Sequence, residues 1–360
     1  MKGWLVRTLG LVIVAACGVS ALAADNSGKL RVYFIDVEGG QSTLFVTPAG
    51  ESLLIDAGWP GKCSVDSKGG INCPVGSARD AERIVATAKK AGLSRIDYVL
   101  ITHYHVDHVG GLPALAAKIP IGTFIDHGPN REMDKGITEK DYADYQKVLA
   151  EGKSKNIHAK PGDVLPIHGF KATVISADGA LISKPLPGGG EANSYCKESE
   201  TRPADETENA RSLGIEITFG SLKMLDLGDL TWDKEMALMC PANKLGKIDV
   251  LIVSHHGWSQ SSSPALVDAI HERVAIMDNG ADKGGSTPIL QTFKKVPGLE
   301  TLWQVHYSNE GGDANNTAVE YIANPKGEDK GLGLELVAAK DGSFDVTNER
   351  TEFTKHYGVK

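Results

Sequence analysis

The sequence predicts an α/β protein in which two β-sheets carry helices on their outer faces. Three observations predict it. Runs of short strands give way to strand–helix alternation, and that order occurs in each half of the chain. The 41 glycines among 360 residues suit turns and close backbone approaches rather than a helical bundle. A composition of 41% apolar and 23% charged residues excludes a disordered chain, a collagen-like repeat and a disulfide-dense miniprotein. With no internal repeat and no low-complexity tract, residues 24–360 read as one domain.

Residues 1–23 read as a secretory signal. Lys2 and Arg7 precede the apolar run Leu9–Ala16, which is too short to span a bilayer, and Ala21-Leu22-Ala23 offers a small-x-small cleavage site. The alternative is a lipid anchor on Cys17, because Val14-Ala15-Ala16-Cys17-Gly18 loosely fits a lipidation box. No other apolar stretch approaches the roughly 18 residues of a membrane helix. The expected location is therefore periplasmic or secreted.

The strands Leu30–Val37, Ser42–Thr47 and Ser52–Asp56 follow, separated by Gly- and Pro-containing turns. Ala78–Ala91 has helical spacing at Ile84, Val85 and Ala88 and is closed by Gly92. Ile96–Thr102 is a buried strand, Val109–Ala117 a short helix, Ile119–Ile125 a strand, Asp141–Ala150 a helix and Phe170–Ser176 a strand. Periodicity then vanishes between about 179 and 209, an insertion rather than a linker, because strands resume at Leu213–Phe219 and Leu222–Leu227. Lys247–Val253, Val274–Met277 and Thr301–Val305 are strands, alternating with helices over Pro264–Ile270 and Pro288–Lys295. Gly333–Ala339 and Ser343–Thr347 close the chain as a hairpin around Lys340-Asp341-Gly342.

The formal charge is −8, and loss of Lys2 and Arg7 with the signal brings it to about −10. That balance argues against a general polyanion binder, although a basic groove within an acidic protein remains open. Cys63, Cys73, Cys196 and Cys240 remain in the mature chain, an even number in an oxidising compartment. Cys63 and Cys73 could staple one loop, which would leave Cys196 with Cys240; the other reading is unpaired buried thiols.

The strongest chemical signal is Thr102-His103-Tyr104-His105-Val106-Asp107-His108-Val109-Gly110-Gly111, with three of the 11 histidines in six residues. In an extended segment His103 and His105 project to one face. Asp107 and His108 sit where the chain turns into a helix. Neutral imidazole and carboxylate without thiolate are borderline-metal ligands. Gly110-Gly111 lets the helix pack close beneath such a site.

His103-x-His105-x-Asp107-His108 resembles the hallmark motif of the metallo-β-lactamase-fold superfamily, and the likeness runs from Lys29 to about Ala281. Leu53-Leu54-Ile55-Asp56-Ala57-Gly58 is similar to the family's first motif. Phe34–Ser42, Arg211-Ser212-Leu213, Leu227-Gly228-Asp229-Leu230 and Ser254-His255-His256-Gly257 resemble the branch typified by the hydrolase-like domain of the competence protein ComEC, without its membrane channel.

The resemblance implies a four-layer αβ/βα sandwich with two metals, zinc by default and manganese or iron as alternatives, at the joined strand ends. His103 and His105 would hold the first metal, Asp107 and His108 the second, and Asp229 would bridge both. A bridge needs an anionic oxygen donor, which aspartate supplies. The last ligand is His256 or His255, with His256 preferred for its place before Gly257 and His255 left to contact substrate. Asp56 would orient a ligand imidazole. One departure matters: where the family's third motif places a histidine, the chain reads Ser176-Ala177-Asp178-Gly179. Asp178 would substitute, His127 would swing in, or water would complete the shell.

A Gly-rich phosphate loop and a Gly-x-Ser-x-Gly elbow have no candidate. Trp59, Trp232, Trp258 and Trp303 would line a cleft or fill the core. The expected function is hydrolysis of a phosphate ester or phosphodiester by a metal-activated hydroxide, with Asp107, Asp229 and His255 in catalytic roles. The alternatives are β-lactam or lactone hydrolysis, and a metal-containing binding protein without turnover. The expected partner is a small molecule or a phosphodiester; nucleic acid is disfavoured by charge.

Overall fold

The computed structural model describes Met1 and residues 28–65, 71–73, 78–132, 137–152, 154–327 and 329–360. The expected signal segment, with Cys17, lies outside the described residues apart from Met1.

A nine-stranded sheet runs in the order Thr354–Tyr357, Phe344–Asn348, Leu334–Ala338, Leu30–Phe34, Thr43–Val46, Ser52–Ile55, Ile96–Leu100, Ile121–Asp126 and Lys155–His158. An eight-stranded sheet runs Ala180–Leu181, Lys171–Ala177, Gly214–Phe219, Leu222–Asp226, Val250–Ile252, Val274–Met277, Thr301–His306 and Ile322–Asn324. Each sheet begins antiparallel and turns parallel, at Ser52–Ile55 in the first and at Leu222–Asp226 in the second. Parallel neighbours need crossovers, and helices supply most of them. Arg79–Lys90, Val106–Val109, Leu112–Ala116 and Ile137–Glu151 serve the first sheet; Trp232–Met239, Pro264–Ile270 and Thr287–Phe293 serve the second.

Side-chain alternation along the strands separates the core into three layers. Val32, Phe34, Leu53, Ile55 and Leu100 face Val174, Ile217, Met224, Ile252 and Ile276 between the sheets. Their neighbours Tyr33, Leu54 and Val99 point outward onto the first helix layer, beside Ile84, Ala88 and Leu112. Leu225, Leu251 and Ala275 point outward onto the second, beside Leu238, Leu266 and Leu290. The result is the expected αβ/βα sandwich.

Several elements differ from expectation. The helix expected over Val109–Ala117 is two short helices broken at Gly110-Gly111. Trp232–Met239 is helical, and Lys155–His158, Ile322–Asn324 and Thr354–Tyr357 are strands that hydropathy did not mark. The insertion holds short pieces, of which Glu191–Ala192 pairs with Ala242–Asn243. Both anticipated disulfides are present, Cys63–Cys73 and Cys196–Cys240, the second tying the insertion to the end of helix Trp232–Met239. Among the described residues no helix is long and apolar enough to cross a membrane.

Candidate metal centre

The carboxyl ends of the parallel strands in both sheets open on one seam, the usual place for a site in such sheets. Asp56 follows strand Ser52–Ile55, His103 to His108 follow Ile96–Leu100, Asp229 follows Leu222–Asp226, and His255 and His256 follow Val250–Ile252. The backbone is bent hard to place them. Asp56, His255 and His256 all adopt left-handed φ, at 58°, 55° and 54°, a conformation costing about 1–3 kcal/mol for a non-glycine residue. The turn at 284–286 clamps the histidine pair: Gly285 N–H donates to the His256 carbonyl at 2.8 Å, and Ser286 N–H to that of Gly257 at 3.0 Å. A Cβ on Gly284 would stand 2.2 Å from the His256 oxygen.

Asp107, His108, Asp229 and His256 converge, with one ligand atom from each lying within 4.8 Å of all the others. His108 Nε2 is 3.2 Å from His256 Nε2 and 3.3 Å from both Asp107 Oδ2 and Asp229 Oδ2. His256 Nε2 is 3.2 Å from Asp107 Oδ2. His108 Nδ1 is fixed at 2.7 Å by Asp56 Oδ2, whose carboxylate also takes the amide and hydroxyl of Thr102 at 2.8 and 2.7 Å. That contact leaves His108 Nε2 facing the other three groups. Asp56 is thus placed to orient the His108 ring.

His103 is fully buried, with Nε2 3.9 Å from Asp229 Oδ2. His255 Nε2 lies 3.4 Å from both Asp229 Oδ2 and Asn209 Nδ2, while its Nδ1 is 3.5 Å from Ser261 Oγ. His105 meets Glu132 through Nε2 at 3.1 Å, so only its Nδ1 is left for an ion. The structure does not bring Asp178 into the group: Arg131 takes its two oxygens at 2.9 and 2.6 Å. His127 is likewise held by Glu208 at 3.0 Å. His306 pairs with Asp36 at 2.7 Å, while the side chains of His158 and His168 are 61% and 86% exposed.

The donor set fits a cation. His103 Nε2 and Asp229 Oδ1 are buried without a hydrogen-bond partner among the described residues, an arrangement that costs free energy unless a ligand satisfies it. Burial would lower the His108 pKa, yet Asp229, Asp107 and Asp56 raise it well above its usual value, so the cluster attracts positive charge. Burial would raise the Asp107 and Asp229 carboxyls. Lys283 and His108 hold the first well below the usual range; His255, His108 and His256 hold the second there. Burial pushes His103 down strongly and His255 down to about 4, leaving neutral imidazoles suited to ligation.

Sequence reasoning missed two residues here. Lys283 Nζ donates to Asp107 Oδ2 and to the Gly39 carbonyl, each at 2.6 Å, and is flanked by the rings of Trp258 and Trp59 at 4.9 and 5.5 Å. It sits in Asp282-Lys283-Gly284-Gly285, which reads as a solvated turn. Glu132 sits in a polar loop with no motif. Trp303 packs in the core between the sheets, and Trp232 is stacked under Arg202 at 3.6 Å.

Residues 36–185 match the family model described as the metallo-beta-lactamase superfamily. Hydroxyacylglutathione hydrolase of Klebsiella pneumoniae subsp. pneumoniae is 36% identical over 67 residues, 19% of this chain and 26% of that protein. The Stenotrophomonas maltophilia protein of the same name is 37% identical over 83 residues, 23% and 31% of the two chains. The chain thus spans about a quarter to a third of the length of these relatives. Among solved structures, the metallo-beta-lactamase fold protein YhfI from Bacillus subtilis is similar at 15% identity and a TM-score of 0.45, over 77% of this chain and 96% of that one. Residues 36–185 are thus similar to the metallo-beta-lactamase superfamily, and the chain carries the metallo-beta-lactamase fold.

Proposed function

We propose that this protein is an exported metal-dependent hydrolase of phosphate esters, phosphodiesters foremost. The observation that carries the reading is the convergence of Asp107, His108, Asp229 and His256 within 4.8 Å, with the Lys283 ammonium beside them. His103, His105 and Asp229 would hold one ion, and Asp107, His108, Asp229 and His256 a second; zinc suits these donors, as do manganese and iron. When bound, the metals supply Lewis-acid polarisation of the scissile ester and an acidified water.

The chain's own residues supply the rest. Asp56 and Glu132 fix the ring orientation of His108 and His105. Asp229 Oδ1, buried and without a hydrogen-bond partner among the described residues, would hold an ion and orient the attacking water by accepting a hydrogen bond from it. His255, kept neutral by burial, faces Asp229 and would contact the substrate. Fixed cations suit a phosphoryl oxyanion better than a neutral lactam or lactone. The ComEC-like Ser254-His255-His256-Gly257 supports phosphodiester chemistry, whereas a formal charge of −8 opposes long nucleic acid without a local basic groove. We therefore rank a small phosphodiester level with DNA. The export reading rests on the N-terminal pattern and is supported by the two disulfides.

A second reading is thioester hydrolysis, favoured by the local likeness to proteins named hydroxyacylglutathione hydrolase. The test is kcat/KM of the metal-loaded protein on bis-p-nitrophenyl phosphate, single-stranded DNA, a cephalosporin, an acyl lactone and lactoylglutathione. Turnover should be highest on a phosphodiester and vanish with chelator. Efficient cleavage of the lactam, lactone or thioester, with both phosphodiesters inert, would overturn the ranking.

A further inference from the structure

Lys283 is the least expected group in the site. It is 6% exposed, and a lysine is almost never buried so far unless its charge is answered. Its loop is built to deliver it. Gly280 N–H closes a turn on the Lys283 carbonyl at 2.8 Å. Opposite, Gly39 lies at φ +79°, and a Cβ there would stand 2.9 Å from the Lys283 Cβ. A larger residue at 39 would push the lysine out.

The surroundings of the ammonium are asymmetric. Asp107 Oδ2 and the Gly39 carbonyl take two of its three N–H groups, each at 2.6 Å. The faces of Trp258 and Trp59 cover its flanks without accepting a conventional hydrogen bond. Among the described residues no third acceptor meets the ammonium, so one N–H remains for a ligand. Trp258 also packs edge-on against His255, with ring centroids 5.4 Å apart. The lysine, its aromatic flank and both carboxylates thus belong to one wall of the seam.

We propose that Lys283 is an oxyanion subsite of this centre, binding a non-bridging phosphoryl oxygen of the substrate. The inference rests on the phosphate-ester reading and deepens it: the substrate carries a negative charge on a non-bridging oxygen of the phosphorus being attacked. A fixed ammonium in a dry, aromatic-lined position needs no reorganisation when that charge arrives. Asp107 accounts for the charge of Lys283 in the resting protein, and a bound ion would share that carboxylate and free the lysine's field for substrate.

The test compares wild type, Lys283→Met and Lys283→Arg as metal-loaded full-length proteins. Metal content is measured by elemental analysis, inorganic phosphate binding by calorimetry, and turnover on bis-p-nitrophenyl phosphate and a neutral p-nitrophenyl phosphotriester. Lys283→Met should keep its metal, bind phosphate at least 10-fold more weakly and lose diester turnover mainly through KM. Triester turnover should change less than 3-fold, and Lys283→Arg should restore much of the phosphate affinity. Equal phosphate binding by wild type and Lys283→Met overturns the subsite. So does an equal loss on diester and triester, or loss of metal from Lys283→Met, either of which makes the lysine a support for Asp107. Lysine-dependent phosphate binding in a wild type that cleaves neither ester supports the subsite and counts instead against the hydrolase reading.

Discussion

Asp107 and Asp229 carry opposite faces of the same electrostatic problem. Each is an aspartate pushed by burial toward the neutral acid and held ionised by its neighbours: Lys283 and His108 for the first, three histidines for the second. Replacing either by alanine removes an anion from the cluster and weakens cation binding, and Asp107→Ala also leaves the buried Lys283 without its carboxylate. Asp107→Ala and Asp229→Ala should therefore each lower kcat by at least about 100-fold with the circular-dichroism spectrum intact. His168→Ala, at an exposed position, should behave as wild type. A wild-type rate from Asp107→Ala at saturating metal would remove that residue from the mechanism. Asp56 acts one step back, through His108. Asp56→Asn keeps the volume but no longer fixes the tautomer, and metal affinity in a competition titration should fall about 10- to 100-fold. An unchanged affinity would mean that Thr102 alone suffices to hold the ring.

Helix Val106–Val109 positions two of the four converging groups, and glycines set its depth. A Cβ on Gly111 would lie 2.1 Å from the Ala57 carbonyl oxygen, and one on Gly40 would lie 2.4 Å from that of Asp107. Gly111→Ala should lift the helix away from the Asp56–Ala57 turn, costing about 1–3 kcal/mol in urea unfolding and weakening metal binding with it. Gly358→Ala, which meets nothing within 4 Å, is the control. Stability and affinity both unchanged in Gly111→Ala would show that the turn yields freely. The histidine run and the glycine pair were legible in the sequence because ligand type, spacing and turn residues sit together in ten positions. Alternation marked most strands for the same local reason. Helix Trp232–Met239 was not legible because its buried face includes Glu235, which receives the amides of Ser262 and Ser263 from a distant loop. Strands Lys155–His158 and Thr354–Tyr357 are edges with mostly exposed side chains, so no apolar period announces them. Lys283 was hidden for a related reason: its partners are Gly39 and Asp107, 244 and 176 residues away. Nothing local distinguishes it from a solvated lysine.

Across the whole molecule, buried acids away from the seam tie folding to pH. Glu272 is fully buried, with both oxygens unpartnered among the described residues, and burial pushes its carboxyl up to about 8. Burial pushes Glu235 up to about 7, against the two backbone amides that favour its charged form. Both groups hold a proton more tightly in the folded chain than in the unfolded chain, where glutamate titrates near 4.3. Folding therefore takes up protons between about pH 4.3 and 8, and stability falls as pH rises through that window. The net acidic charge adds self-repulsion in the same direction. Asp107 and Asp229 act oppositely only below the ordinary carboxylate range, and His103 and His255, pushed down by burial, act oppositely below about pH 6.5, where bound metal would keep them deprotonated. The metal-saturated protein should consequently be more stable at pH 5.5 than at pH 8.5. Glu272→Gln mimics the protonated acid in shape and charge, so it should gain about 1 kcal/mol at pH 5 and on the order of 4–5 kcal/mol at pH 8.5. Urea unfolding at the two pH values measures the difference. An equal gain at both would mean that packing, not the proton, sets the cost of that glutamate.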